Sequence, residues 1–400
     1  MEKLYYEDQY IKEFVAEIVD VKEKDDEFHV VLDKSAFFEG GGGQFCDLGT
    51  IENSNVINVY EENGTLYHVV DKKPIKIHKV KCKLNWDRRQ DGMHQHLGQH
   101  VLSGCFFTLF NANTVSFHLG KDFSTVDIQG ILDEEKVREA EKLANSIINE
   151  NLVVESFVPL KKDLKKLKLR RALPKTNEEI RVVKIGDLDI NACCGVHPSN
   201  TMELRMIKIV KYEKNKGNTR IEFLAGKRAI DDSLKKDLFS NNICRYLSSS
   251  EEEAINTIKN LNEQIKDLLD DNRKIRDILS KYEIKEMIDK ADKINNVTVV
   301  KKVYENESAK YINKLVTKLV EHEDTIALMA LKDGEKANLI FACSKSLKDI
   351  NMNELLKDSI TLIDGRGGGS PVLAQGGGKN NSNLESVIDY AFMKIKKIYE

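Results

Sequence analysis

The sequence predicts an α+β chain: a small N-terminal β-barrel, a central α/β sandwich that binds metal, a helical coiled-coil connector and a C-terminal α/β domain. Three observations carry this. Short β-branched runs fill the first 85 residues, a step-of-three-and-four apolar seam spans 249–283, and strand-like and helical runs alternate from 290 onward. At 400 residues the chain exceeds what one core supports. The expected domains are 1–86, 87–240, 241–289 and 290–400.

EFHVVLDKSAFF (27–38), TIENSNVINVYEENG (50–64) and IKIHKVKCKLNW (75–86) read as strands broken by Gly, Asn and Asp. The period then changes. Asp87 or Asp91 can cap a helix over 87–111, with Leu97, Val101, Phe107 and Phe110 as its apolar stripe. SFHLG and STVDIQG follow as strands, then a helix over 133–150. RVVKIG, MELRMIKIVKYEKN and TRIEFLAG return to strand.

Ile258, Leu261, Ile265, Leu268, Asn272, Ile275, Leu279 and Tyr282 form a heptad seam with one polar position. At ~1.5 Å per residue the helix is roughly 50 Å long. It packs on its own domain, or forms a coiled hairpin or dimer seam. In the last block NVTVVKKV, TIALMALK and ANLIFACS are strand-like, followed by GRGGGSPVLAQGGG and a final helix.

The net charge of −3 does not mark a nucleic-acid-binding protein, although KKDLKKLKLRR (161–171) is locally basic. By itself that run reads as a solvated helix face. No segment approaches the ~20 apolar residues of a membrane helix, and the charged start MEKLYYEDQYIKEF is unlike a secretory signal. Seven thinly spread cysteines suit a cytoplasmic chain with reduced thiols, where Cys and His together bind metal.

HQHLGQH (94–100) places His96 and His100 four apart, on one helix face; His94 points elsewhere. CCGVH (193–197) repeats that spacing with Cys193 and His197. Three imidazoles and a thiolate suit tetrahedral Zn2+. Leu97 stands where a zincin peptidase needs its glutamate, which disfavours that class. Four protein donors normally close a structural site, whereas catalysis wants an open position; spacing leaves both open. FFEGGGGQFCDLG (37–49) brings bare backbone amides toward a ligand, and no Walker signature follows it.

Together these elements resemble a known family. Phe37-Phe38, Gly41-Gly42-Gly43-Gln44 and Asp47-Leu48-Gly49 are similar to the F-Y-x-x-G-G-G-Q-x-x-D-x-G signature of alanyl-tRNA editing proteins. MHQHLGQHVLS resembles their H-x-x-x-H helix, CCGVH their C-x-G-x-H element, and GRGGGSPVLAQGGG the DHH-associated domain that ends the long free-standing forms. TVSFHLG and GNTRIEFLAG also match. The resemblance implies a trans-acting deacylase that removes serine or glycine from mischarged tRNA(Ala), and not an aminoacylating ligase. It implies Zn2+ on His96, His100, Cys193 and His197. It implies a pocket wall from Gln44, Gly41, Gly42 and Gly43, and a C-terminal surface for tRNA and self-association that includes Arg366, Gly367, Gly368, Gly369 and Gln375. The departures lie at Glu39, Gly40, Ser35, Cys194 and Val196, none of them a matched metal ligand.

A pocket that accepts serine and rejects alanine must bond the hydroxyl, because serine is the larger. Ser35, Gln44 and the glycine amides are the expected readers, with His118 and Asp127 as candidate bases. An aminoacyl ester is already activated, so positioning and modest polarisation suffice. The rival reading is a tRNA-binding protein with a structural zinc and no turnover. A DHH-type phosphoesterase is excluded by the absence of Asp-His-His. Expected partners are tRNA, through Lys161–Arg171 and the C-terminal glycines, and a second copy through the long helix or last domain.

Overall fold

The computed structural model describes all residues except 25–26, 75–77, 165, 174–178 and 335. It divides into two compact units, Met1–Ser248 and Ser249–Glu400.

In the first unit, β1 (Glu13–Lys24), β2 (Glu27–Leu32), β3 (Gly49–Ile51), β4 (Ser54–Glu62), β5 (Thr65–Val70) and β6 (Lys79–Leu84) close into a barrel in the order β1-β2-β5-β4-β3-β6. Closure removes the exposed edges an open sheet would leave. β6 shows the cause plainly: Val80, Cys82 and Leu84 point inward while the alternate lysines point out. The sequence reading passed over β1, because its charges hide the inward pair Ala16 and Ile18. The first residues of the run expected at 75–86 lie outside the described residues.

α1 (Trp86–Phe110) is capped by Asn85, whose side chain accepts from the Arg88 amide at 3.2 Å. Asp87 sits in the first turn and Asp91 bonds Arg228, so neither is the expected cap. An apolar stripe was also expected. Instead residues from Met93 to Phe106 are buried on every side, including three histidines and two glutamines. A surrounded helix needs polar partners inside, and this one has them.

β7 (Thr114–Leu119), β8 (Ser124–Ile128), α2 (Glu134–Asn149), β9 (Val154–Phe157), β10 (Val182–Ile185), β11 (Asp189–Ala192), β12 (Ile207–Asn215), β13 (Asn218–Ala225) and α3 (Lys227–Leu247) complete the unit. A four-stranded sheet runs β12-β13-β8-β7, and β9-β10-β11 form a smaller one. Leu97, Val101, Phe106, Val137, Ala144 and Phe223 share the core beneath. MELR, expected as strand, is a 3-10 turn at Thr201–Leu204, with Asn200 bonding the Glu203 amide.

The expected boundary after residue 86 is not a boundary of packing. Met93 of α1 and Val196, from the segment after β11, belong to the barrel's own core.

The second unit opens with α4 (Glu251–Asp289), capped by Ser250. β14 (Asp292–Ile294), β15 (Val297–Glu305), α5 (Ala309–Leu319), β16 (Thr325–Asp333), β17 (Lys336–Cys343), α6 (Met352–Ile360), β18 (Arg366–Gly369), β19 (Leu373–Gly378) and α7 (Leu384–Tyr399) follow. The sheet order is β14-β15-β16-β17-β19-β18, parallel only at β15–β16. Ile284 and Met287 of α4 are buried with Ile312, Leu315 and Leu319 of α5. The long helix is therefore rooted in this unit, not a free connector. Most of its expected seam, including Ile265, Leu268, Ile275 and Leu279, is exposed. Among the described residues no helix is long and apolar enough to cross a membrane.

The two C-terminal glycine clusters are the hairpin β18–β19. Glycine is required by close approach: a Cβ on Gly367 would meet the backbone of Gln375 and Gly376, and one on Gly376 would strike Ile360 of α6.

Candidate metal centre

α1 carries His96 and His100 on one face, their rings stacked at 5.1 Å. The segment after β11 brings Cys193 and His197 to meet them. One donor atom from each of the four lies within 4.8 Å of all the others. Cys193 Sγ is 3.4 Å from His96 Nε2 and 3.6 Å from His197 Nε2. A tetrahedron with bonds of about 2.0–2.3 Å has edges of about 3.3–3.8 Å. The two Cys193 separations fall in that range, and the soft thiolate with three imidazoles fits zinc's chemistry.

Each ligand is aimed from behind. His96 Nδ1 donates to Gln44 Oε1 at 3.1 Å, which leaves Nε2 toward the cluster. The same oxygen accepts from the Val196 amide at 3.1 Å, which fixes the orientation of the Gln44 amide. His100 Nδ1 donates to Asp189 Oδ2 at 3.1 Å, and its Nε2 is buried with no hydrogen-bond partner. Asp189 also accepts from Arg170 at 2.8 Å and from Asn191 at 2.6 Å, so its buried charge is satisfied.

The electrostatics favour a bound cation. Burial pushes the Cys193 thiol up, but His96, His197 and His100 outweigh it and hold it well below the ordinary thiol value. Burial pushes His197 down to about 4, the neutral form that ligates. Burial also opposes charge on His100, yet the bond to Asp189 and the nearby Cys193 sulfur hold it up at about 9.

The cluster opens on a cleft of about 950 Å³ whose walls include Tyr6, Glu39, Gly42, Phe117 and Arg181. Gly40 to Gly43 all adopt positive φ. Gly41 and Gln44 exchange backbone hydrogen bonds of 3.0 and 2.9 Å, closing the glycine run into a tight turn. A Cβ on Gly43 would lie 2.6 Å from the Phe117 ring.

Residues 180–222 match the family described as the second additional domain of threonyl and alanyl tRNA synthetases, and residues 280–397 match the DHHA1 domain. The alanyl-tRNA editing protein AlaX-L of Pyrococcus horikoshii is 33% identical over 99% of this chain and 98% of its own length. The chain belongs to the alanyl-tRNA editing protein family. The alanine–tRNA ligases of Methanobrevibacter smithii and Thermococcus kodakarensis are 28% and 30% identical over 97% and 99% of this chain, which spans 45% and 43% of their lengths.

Not every residue expected for an editing protein reaches the cleft. Ser35 is fully buried in the barrel; its hydroxyl donates to His68 Nε2 at 2.8 Å and accepts from the Phe37 amide at 3.1 Å. With both bonds made inside the barrel core, it is not a cleft hydroxyl. His118 is exposed, because β7 turns Phe117 inward and its neighbour outward. Asp127 is bound by Arg220 and Ser116. Neither is placed to act as a base. His94 is buried against Gly226, apart from the four ligands.

Arg170, expected on a solvated face, is instead the buried partner of Asp189. Lys165 of that run lies outside the described residues. Arg366, Gly367, Gly369 and Gln375 are exposed on the C-terminal hairpin, and Gly368 is half-buried there. Asp189, Tyr6 and Phe117 were missed. Only Asp189 carried a signal, a carboxylate four residues before Cys193.

Proposed function

We propose that this editing-family protein hydrolyses, in trans, the ester joining a wrongly attached serine or glycine to tRNA(Ala). The observation that supports it most is the convergence of His96, His100, Cys193 and His197 at the wall of an open cleft, in a chain similar end to end to a named editing protein. Zn2+ on these residues would supply polarisation of the ester carbonyl or of water, and would hold the cleft wall together. The glycine turn and Phe117 shape the side where the aminoacyl group lies. Gln44 acts by positioning, since its carbonyl oxygen is committed to His96 and Val196. Water adds to the acyl carbon, the acyl–oxygen bond breaks, and the terminal ribose hydroxyl leaves with a proton. Serine is recognised by polar groups of the cleft other than Ser35, whose hydroxyl is engaged with His68.

The exposed glycine hairpin with Arg366 and Gln375 provides a tRNA-binding surface, and the uncovered seam of α4 pairs with a second copy. The protein works in the cytoplasm, where its thiols stay reduced.

A second reading, a tRNA-binding protein whose metal is purely structural, is favoured by the four protein donors, which fill a tetrahedron. Serylated tRNA(Ala) incubated with the metal-loaded protein separates the two. Release of free serine, lost after chelation and restored by Zn2+, supports the hydrolase. Retention of intact seryl-tRNA at saturating protein supports the binding protein.

A further inference from the structure

We infer that Arg181 is the anion anchor of the cleft, binding the phosphodiester on the 5′ side of the terminal nucleotide whose ribose carries the ester. The inference rests on the proposed function and names the group that holds its substrate.

Arg181 lines the cleft that holds the metal ligands. Its guanidinium carbon lies over the Tyr6 ring, 3.8 Å from the centroid. Among the described residues it forms no ion pair with a carboxylate, and its Nη1 is buried with no hydrogen-bond partner. Of the other three cations that line the cleft, two are already engaged, and the third, Arg171, is exposed at its edge. Arg170 is spent on Asp189, and Lys3 on Glu39 and Glu61. Three carboxylates border the cleft and oppose an anion there: Glu39 and Glu61, which share Lys3, and Glu179.

The guanidinium is also tied to the metal segment. The Tyr6 hydroxyl donates to the Cys194 carbonyl at 2.8 Å, and the Arg181 carbonyl accepts from the Cys193 amide at 3.0 Å. Arg181 is thus held in register with a metal ligand, through its backbone and through the ring beneath it. A planar cation stacked on an aromatic ring and lacking an anion is suited to fork onto phosphate oxygens. In an aminoacylated tRNA the nearest such group lies one ribose from the reacting ester. Fixing it would set the distance between ester and metal site, where small misplacement is costly.

The test uses the full-length, metal-loaded protein and two non-hydrolysable probes, the 3′-seryl amide of 3′-amino-3′-deoxyadenosine with and without a 5′-phosphate. Binding is read by calorimetry, which needs no turnover; failure of the hydrolase reading would show separately, as seryl-tRNA left intact. Wild-type protein should bind the phosphorylated probe about tenfold to a hundredfold more tightly. Arg181→Ala should bind both probes alike, at the wild-type affinity for the unphosphorylated one, with zinc content unchanged. If the alanine variant loses metal, Arg181→Gln, which keeps a stem over Tyr6, is read in the same way. Equal binding of the two probes by wild-type protein would overturn the inference. So would a variant that retains the phosphate preference, or one that weakens both probes equally.

Discussion

The carboxylate of Asp189 lies 3.1 Å from Nδ1 of His100, which turns the opposite nitrogen of that ring toward Cys193 and the two other histidines. Partners of this kind typically account for a tenfold to hundredfold change in metal affinity. Asp189→Asn should therefore weaken zinc binding by about 10–100-fold in competition with a chromophoric chelator. Asp189→Ala should also lower stability by about 3–5 kcal/mol in urea melts, because Arg170 is left buried and unpaired. Unchanged zinc affinity in both variants would refute the positioning role.

Gln44 joins the glycine turn to the metal segment. Gln44→Ala removes the acceptor shared by His96 and Val196 and leaves two buried donors unmet, at about 1–3 kcal/mol each. Deacylation of seryl-tRNA should fall at least about tenfold while tRNA binding, measured by filter retention, stays within about twofold. Parallel loss of both would mean that Gln44 only maintains the fold.

His68 offers a test of pH dependence away from the metal. Burial lowers its pKa to about 4, only partly countered by its bond to the Val30 carbonyl. Below about pH 6.5 the unfolded chain takes up a proton that the folded chain refuses, so stability falls with pH until about pH 4. The loss attributable to this ring is about 3 kcal/mol. Denaturation curves at pH 7 and pH 4 should show a smaller difference for His68→Gln than for wild type; an equal difference would show that other groups carry the effect.

α4 leaves Ile265, Leu268, Ile275 and Leu279 uncovered, a row of apolar side chains that a monomer would hold in water. Sedimentation equilibrium at micromolar concentration should give a dimer, and Leu268→Asp with Ile275→Asp should give a monomer with unchanged melting. A wild-type monomer would sink the expectation.

In the C-terminal hairpin, Gly376→Ala drives a methyl group into Ile360. It should destabilise the second unit by about 1–3 kcal/mol, as overpacking does. A melting midpoint within error of wild type would contradict the packing account.

Much of this was legible in the sequence, for identifiable reasons. His96 and His100 could be grouped because i, i+4 spacing shares a helix face, whereas Cys193 and His197 meet them from a non-helical segment, where residue type was the better guide. The C-terminal strands announced themselves because buried strands such as β16 carry a continuous apolar run, Ile326 to Leu331. Three features stayed hidden. α1 is wrapped on all sides, so its polar residues mimic a surface. Ser35 and His118 sit in motif positions, but which way a side chain points depends on partners distant in sequence: His68 for one, the pleat of β7 for the other. The glycine hairpin was not assigned as strand, because glycine marks both freedom and crowding and only packing tells them apart.

Val196 has a consequence of its own. It fills the barrel core between two metal ligands, Cys193 and His197, while Met93 fills the same core from the helix that bears the other two. Loss of a metal ion from these four residues is therefore expected to accompany melting of the barrel in one cooperative event. A fragment ending at residue 86 would lack both plugs, and calorimetry of residues 1–248 should show a single heat-absorption peak that moves as a whole when zinc is withdrawn.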